Sequence, residues 1–108
     1  MTIKNLTPVL IAVILGCGVS ARAQAQDKEA LYLKGLAATC ANCHGTNGKA
    51  VDGSSVAGLA GLDKSYTVTQ MKAFKAGTRP ATVMHQISKG YSDAQIESLA
   101  GYFAAQKK

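Results

Sequence analysis

No apolar run in this 108-residue chain reaches the length needed to cross a bilayer, about 20 residues. The sequence also lacks the strict apolar–polar alternation of strands, which excludes a thioredoxin-like βαβ unit. Its basic residues do not cluster. Only Lys107 and Lys108 are adjacent, so a nucleic-acid partner has no electrostatic footprint. Repeats and low-complexity tracts are missing, and nothing marks a second domain. Cysteine and histidine are scarce, at three and two residues. That scarcity makes their placement informative.

The first 25 residues read as a signal peptide. Met1 to Thr7 is a short polar start carrying Lys4, and Val9 to Val19 is an apolar run broken by Gly16 and Gly18. Ala21-x-Ala23 and Ala23-x-Ala25 then offer cleavage after Ala23 or Ala25. The run is too short for a membrane span, so the expectation is an exported, periplasmic protein. A rival reading takes Ile14-Leu15-Gly16-Cys17 as a lipoprotein signal, with membrane contact only through an acylated Cys17; the bulky Leu15 argues against it. The remaining chain, residues 26–108, is large enough for one domain with a modest core. Domains of that size usually need a disulfide, metal or cofactor. Lys4 and Arg22 leave with the signal, yet basic residues still outnumber the six acidic ones. This mild positive balance suits an acidic protein partner, and Lys49, Lys72, Lys75 and Lys89 are candidates for steering it.

With Cys17 removed, the remaining pair is Cys40-Ala41-Asn42-Cys43, followed at once by His44. Two thiols at i and i+3 on one helical turn can add to the two vinyl groups of a haem, and the adjacent imidazole can reach the iron. C-x-x-C-H is the attachment signature of one covalent haem c. A disulfide or a zinc site would explain the two cysteines alone. Zinc, however, would want a further Cys or His pair at ligand spacing, and only His85 remains.

Leu33, Leu36, Ala37 and Cys40 fall on one helical face, predicting a helix from Asp27 to Thr39 that leads into the motif. The glycine-rich stretch from Gly45 to Gly61 has no apolar period. A loop that long is expected to wrap something, and a haem edge suits it. Ser65 to Ala76 reads as a helix with Thr67, Gln70, Met71 and Phe74 on one face and Gly77 as its stop. Thr82 to Ser88 reads as a short helical turn after Arg79-Pro80. A last helix is announced by the capping box Ser92-x-x-Gln95 and the staple Tyr91/Ile96, with Ile96, Leu99, Ala100 and Phe103 buried.

A low-spin electron carrier needs a second iron ligand, and thioether sulfur raises the potential relative to a second imidazole. The candidates are Met71, Met84 and His85. Met71 lies on a helical apolar face, where methionine usually fills core. Met84 follows a proline-marked loop whose backbone can turn it to the iron, and His85 would then face solvent. An iron left open would instead suit a peroxidase or gas binder.

The run Ala38-Thr39-Cys40-Ala41-Asn42-Cys43-His44-Gly45, with Leu59-Ala60-Gly61, Gln70 to Gly77, Arg79 to Met84 and Ile87 to Asp93, resembles class I cytochromes c. More closely, it resembles the cytochrome subunit of flavocytochrome c sulfide dehydrogenase and single domains of two-domain dihaem cytochromes c. The resemblance implies an all-α class I cytochrome c fold, about four helices around one haem. It implies Cys40 and Cys43 as thioether anchors, His44 as proximal and Met84 as distal ligand, and Gly35 against Tyr102 between the first and last helices. It implies an electron carrier with no substrate chemistry of its own. Its redox partner would be an FAD-containing sulfide dehydrogenase subunit or, alternatively, a terminal oxidase or other cytochrome served by a free soluble shuttle. Relatives usually carry a proline shortly before Leu59, whose carbonyl accepts the proximal histidine's Nδ1 proton; here Val56-Ala57-Gly58-Leu59 stands in that segment, and Ala57 keeps a carbonyl.

Overall fold

The computed structural model describes residues 7–108, with side chains from Gln24 onward. Cys17 and the other side chains up to Ala23, on which the signal-peptide and lipoprotein readings rest, lie outside that description. Among the described residues the chain is helical, without strands. The helices are α1 (Thr7–His44), α2 (Lys64–Ala76), α3 (Met84–Ile87) and α4 (Asp93–Ala104), with 3-10 turns at Thr46–Gly48 and Ser88–Gly90. This is the expected all-α class. Among the described residues no helix is long and apolar enough to cross a membrane. Contacts divide the chain after Tyr32, and everything below concerns the compact unit Leu33–Lys108.

In that unit the predicted stripe of α1 is used as read. Ala37 is buried against Leu99 and Phe103 of α4, with Leu33, Leu36 and Cys40 packed around them. The helix does not stop at Thr39 but runs through the cysteine motif to His44. The expected contact at Gly35 is not made: Gly35 is exposed, and a Cβ built on it would meet nothing within 4 Å. Ala37, one half-turn on, takes that place because it lies on the same stripe as Leu33 and Cys40.

α2 starts one residue earlier than predicted because Asp63 caps it. Its Oδ1 accepts from Tyr66 N at 2.8 Å and from Ser65 Oγ at 2.5 Å. Those bonds hold the Asp63 carboxyl below its usual range, Ser65 contributing most and Tyr66 next. The helix ends at Gly77, in the left-handed conformation at φ 76°, as the Gly stop requires. Its buried residue is Val68, beside the predicted Thr67. With Ile96 and Ala100 of α4 it forms a second cluster, on which Met71 and Tyr91 pack.

α4 is the best-signalled element. Ser92 Oγ accepts from Gln95 N at 3.2 Å, and Gln95 Oε1 accepts from Ser92 N at 2.9 Å. Ile96, Leu99, Ala100 and Phe103 are its buried residues, all four as predicted. The core is nevertheless thin. Val68, Ile96, Leu99 and Phe103 are its only large apolar members among the described residues, while Val51, Val83 and Ile87 stay 75%, 54% and 43% exposed. A chain this short with so little buried needs a further apolar group to complete its interior.

Candidate functional site

Because α1 stays helical to its end, Cys40, Cys43 and His44 share its last turn. The two cysteines are not joined in a disulfide; Cys40 is half-buried and Cys43 exposed. Burial pushes the Cys40 thiol up. His44 Nδ1 lies 2.6 Å from the Ala57 carbonyl oxygen. A carbonyl only accepts, so Nδ1 carries a proton, and in the neutral ring the lone pair is then at Nε2. That tautomer can ligate a metal, and the carbonyl fixes the ring's direction. The hydrogen bond implied by the resemblance is therefore made without proline.

The loop after His44 is tied at its base so that Ala57 can reach back. Gly48 O accepts from Leu59 N at 2.7 Å and Ala60 N at 3.0 Å. Tyr102 Oη donates to Asn47 Oδ1 at 2.8 Å, and Gly61 N donates to Phe103 O at 2.9 Å. The tip, residues 51–58, remains exposed.

The three residues considered for the opposite ligand occupy different surroundings. Met71 packs on the Val68, Ile96 and Ala100 cluster, as expected of filler. Met84 is half-buried at the first position of α3, and the fully buried Ser88 donates its Oγ proton to the Met84 carbonyl. His85 departs from the expectation that it faces solvent. It is half-buried, with a buried Nδ1 that has no hydrogen-bond partner. α3 packs on α2, which leaves Met84 and His85 half-buried while Gln86 and Ile87 stay exposed. Sequence reasoning did not single out Ser88 or Thr39. Both are small hydroxyl residues whose partners become visible only in three dimensions.

Two of the candidate docking lysines, Lys72 and Lys75, share Asp93 as an ion-pair partner. Their Nζ atoms lie 3.8 and 2.9 Å from Asp93 carboxylate oxygens, and Lys75 donates to Tyr91 O at 2.8 Å. Lys89 reaches only Gln86 Oε1, at 3.0 Å.

These residues fit a haem. Two thiols and a correctly protonated imidazole sit on one turn, a thioether-bearing residue opens α3, and apolar Val56 and Val83 are exposed beside Ala57 and Met84. Among the described residues, no three His, Cys, Asp or Glu side chains are grouped to hold a bare metal ion.

Comparison with known proteins agrees. The family model for cytochrome c matches residues 30–107. The cytochrome subunit of sulfide dehydrogenase from Chlorobaculum tepidum is 37% identical over 68% of this chain and 64% of its own length. A thiosulfate dehydrogenase electron acceptor from Stutzerimonas stutzeri is 31% identical over 81% of this chain and 42% of its own. Cytochrome c4 of Azotobacter vinelandii is 31% identical over 94% of this chain and 52% of its own. The chain thus spans less than two thirds of each of these relatives. A solved cytochrome c4 of Acidithiobacillus ferrooxidans superposes with a TM-score of 0.57 at 35% identity, covering 61% of this chain and 37% of that one. The chain belongs to the cytochrome c family of electron-transfer proteins, which hold haem c covalently, and its single domain suits one haem.

Proposed function

We propose that the chain is a one-electron carrier of the periplasm, exported by residues 1–25, with one haem domain over residues 26–108. Cys40 and Cys43 hold the haem through thioethers, His44 is the proximal ligand and Met84 the distal one. The observation that carries this reading is the His44–Ala57 hydrogen bond at 2.6 Å, on the same turn as both thiols. It leaves Nε2 as the ligating atom and restrains the imidazole against rotation. When bound, haem supplies the one-electron iron couple. Met84 raises its potential relative to a second imidazole and closes the position that peroxidase or gas-binding chemistry would need. The glycine-rich segment and the exposed Val56 and Val83 cover the apolar ring and keep water from it.

The proposed electron donor is an FAD-containing sulfide dehydrogenase subunit. The likeness to the Chlorobaculum cytochrome subunit supports this choice. Lys49 and Lys89 remain the basic groups best placed to attract an acidic partner face. Acid–acetone extraction of protein made in a maturation-competent host tests the attachment: colour should stay on the polypeptide. Colour passing into the solvent contradicts it. Purification from the native source tests the partner. A bound yellow flavoprotein is expected, and a cytochrome that arrives alone favours a free shuttle.

A further inference from the structure

α3 is an unusual platform for an iron ligand. It has four residues, and its N-cap Val83 makes no side-chain capping bond. A helix that short cannot stabilise itself, because nucleation fixes several residues for very few hydrogen bonds. Something outside it must hold Met84.

The hydrogen bonds lead to one residue. Ser88, fully buried, donates its Oγ proton to the Met84 carbonyl. Tyr91 N donates to Ser88 O at 3.2 Å. The Tyr91 carbonyl is in turn held by Lys75 Nζ of α2 at 2.8 Å. At the far end of the side chain, Tyr91 Oη lies 2.9 Å from Thr39 Oγ1. Thr39 commits its own proton to Leu36 O at 2.8 Å, so the phenol donates. Thr39 precedes Cys40. A continuous path therefore joins the backbone of Met84 to the α1 turn bearing Cys40, Cys43 and His44.

The geometry points to Tyr91 as a positioning residue for Met84, its hydroxyl fixing the Met84 segment against the haem-attachment turn. The inference rests on the reading of Met84 as distal ligand. With the iron anchored through α1, the sulfur–iron bond depends on how far the segment 84–91 can drift from α1. The Tyr91–Thr39 bond limits that drift. A hydrophobic staple alone would need only the ring, which phenylalanine supplies equally well. The hydroxyl is what separates the two roles.

The test uses the haem-loaded protein and the variants Tyr91→Phe, Thr39→Val and Thr39→Ser. Three readouts are followed: the rate of carbon monoxide binding to the ferrous form, the temperature at which the far-red sulfur–iron absorption is lost, and the helix melt. Losing one hydrogen bond should raise the population with Met84 released, and with it the carbon monoxide rate, about fivefold, the equivalent of about 1 kcal/mol. Tyr91→Phe and Thr39→Val should both show this and lose the far-red absorption well below the helix melt. Thr39→Ser, which keeps the acceptor, should behave as wild type. Unchanged carbon monoxide rates in the first two overturn the inference, as does a loss of absorption that falls in step with the melt. Met84→Ala separates the two levels. If it binds carbon monoxide no faster than wild type, the ligand assignment fails and the inference with it. If it binds fast while Tyr91→Phe is unchanged, the positioning role alone fails.

Discussion

Replacing Gly48 with alanine should damage the fold more than its single methyl suggests. Gly48 is buried at φ 77°, and an added Cβ would lie 2.7 Å from Phe103 Cδ1, 2.9 Å from Ala60 N and 2.9 Å from Leu59 Cβ. The left-handed backbone costs an alanine about 1–2 kcal/mol, and overpacking a filled site adds about 1–3 kcal/mol. Relief would require moving the Gly48 carbonyl, which holds Leu59 and Ala60, and with it the base of the loop that presents Ala57 to His44. At about 4–8 °C per kcal/mol for a domain of this size, the helix melt of the holoprotein should fall by at least about 8 °C. Gly53→Ala is the control. It shares the positive φ, at 79°, but its Cβ would meet nothing within 4 Å, so only the backbone penalty applies. A Gly48→Ala protein that melts no lower than Gly53→Ala would refute the packing argument.

Three further outcomes follow from the same geometry. The double variant Cys40→Ala, Cys43→Ala should lose most of its helical circular dichroism, since so few large side chains are buried; a cooperative, native-like melt would contradict the need for haem. Ala57→Pro should stabilise by about 0.4–1 kcal/mol, because no hydrogen bond from the Ala57 N–H is formed among the described residues while its carbonyl stays available to His44; a lower melting point would show that the loop cannot accept the ring. Asp93 is held below the usual carboxylate range by its hydrogen bond from Lys75, then by the charges of Lys75 and Lys72. A depressed folded value means stability that is complete above the ordinary carboxylate pKa of about 3.9 and lost as pH falls through the folded value. Asp93→Asn should therefore flatten the acid limb of a stability–pH profile, and an unaltered limb would show that the pair contributes nothing.

Signals that act over a few residues were legible in the sequence. The Ser92–Gln95 box and the buried face of α4 needed only local spacing, and so did Gly77 as a stop. The haem motif was legible because C-x-x-C-H carries its chemistry within five consecutive residues. α2 begins at Lys64 rather than Ser65 because the Asp63 side chain closes back on Tyr66 N, and Val68 lies beside Thr67, which completed an equally plausible stripe. The Gly35 contact came from resemblance, and the packing of Ala37 replaced it. Tyr91 was read as a staple, which its place beside Ile96 supports. Its bond to Thr39, 52 residues away, leaves no trace in any window of sequence. The inward setting of His85 was invisible for the same reason: it depends on how α3 meets α2.

The far-red absorption of the oxidised protein, compared among wild type, Met84→Ala and His85→Ala, tests the central claim most directly. The half-buried Met84 and its neighbour His85, whose Nδ1 is buried without a partner, are the two residues of α3 whose side chains carry a haem-iron ligand atom. The account predicts a sulfur–iron absorption in wild type and His85→Ala that disappears in Met84→Ala. A spectrum unchanged by Met84→Ala but altered by His85→Ala would make the iron bis-histidine and contradict it.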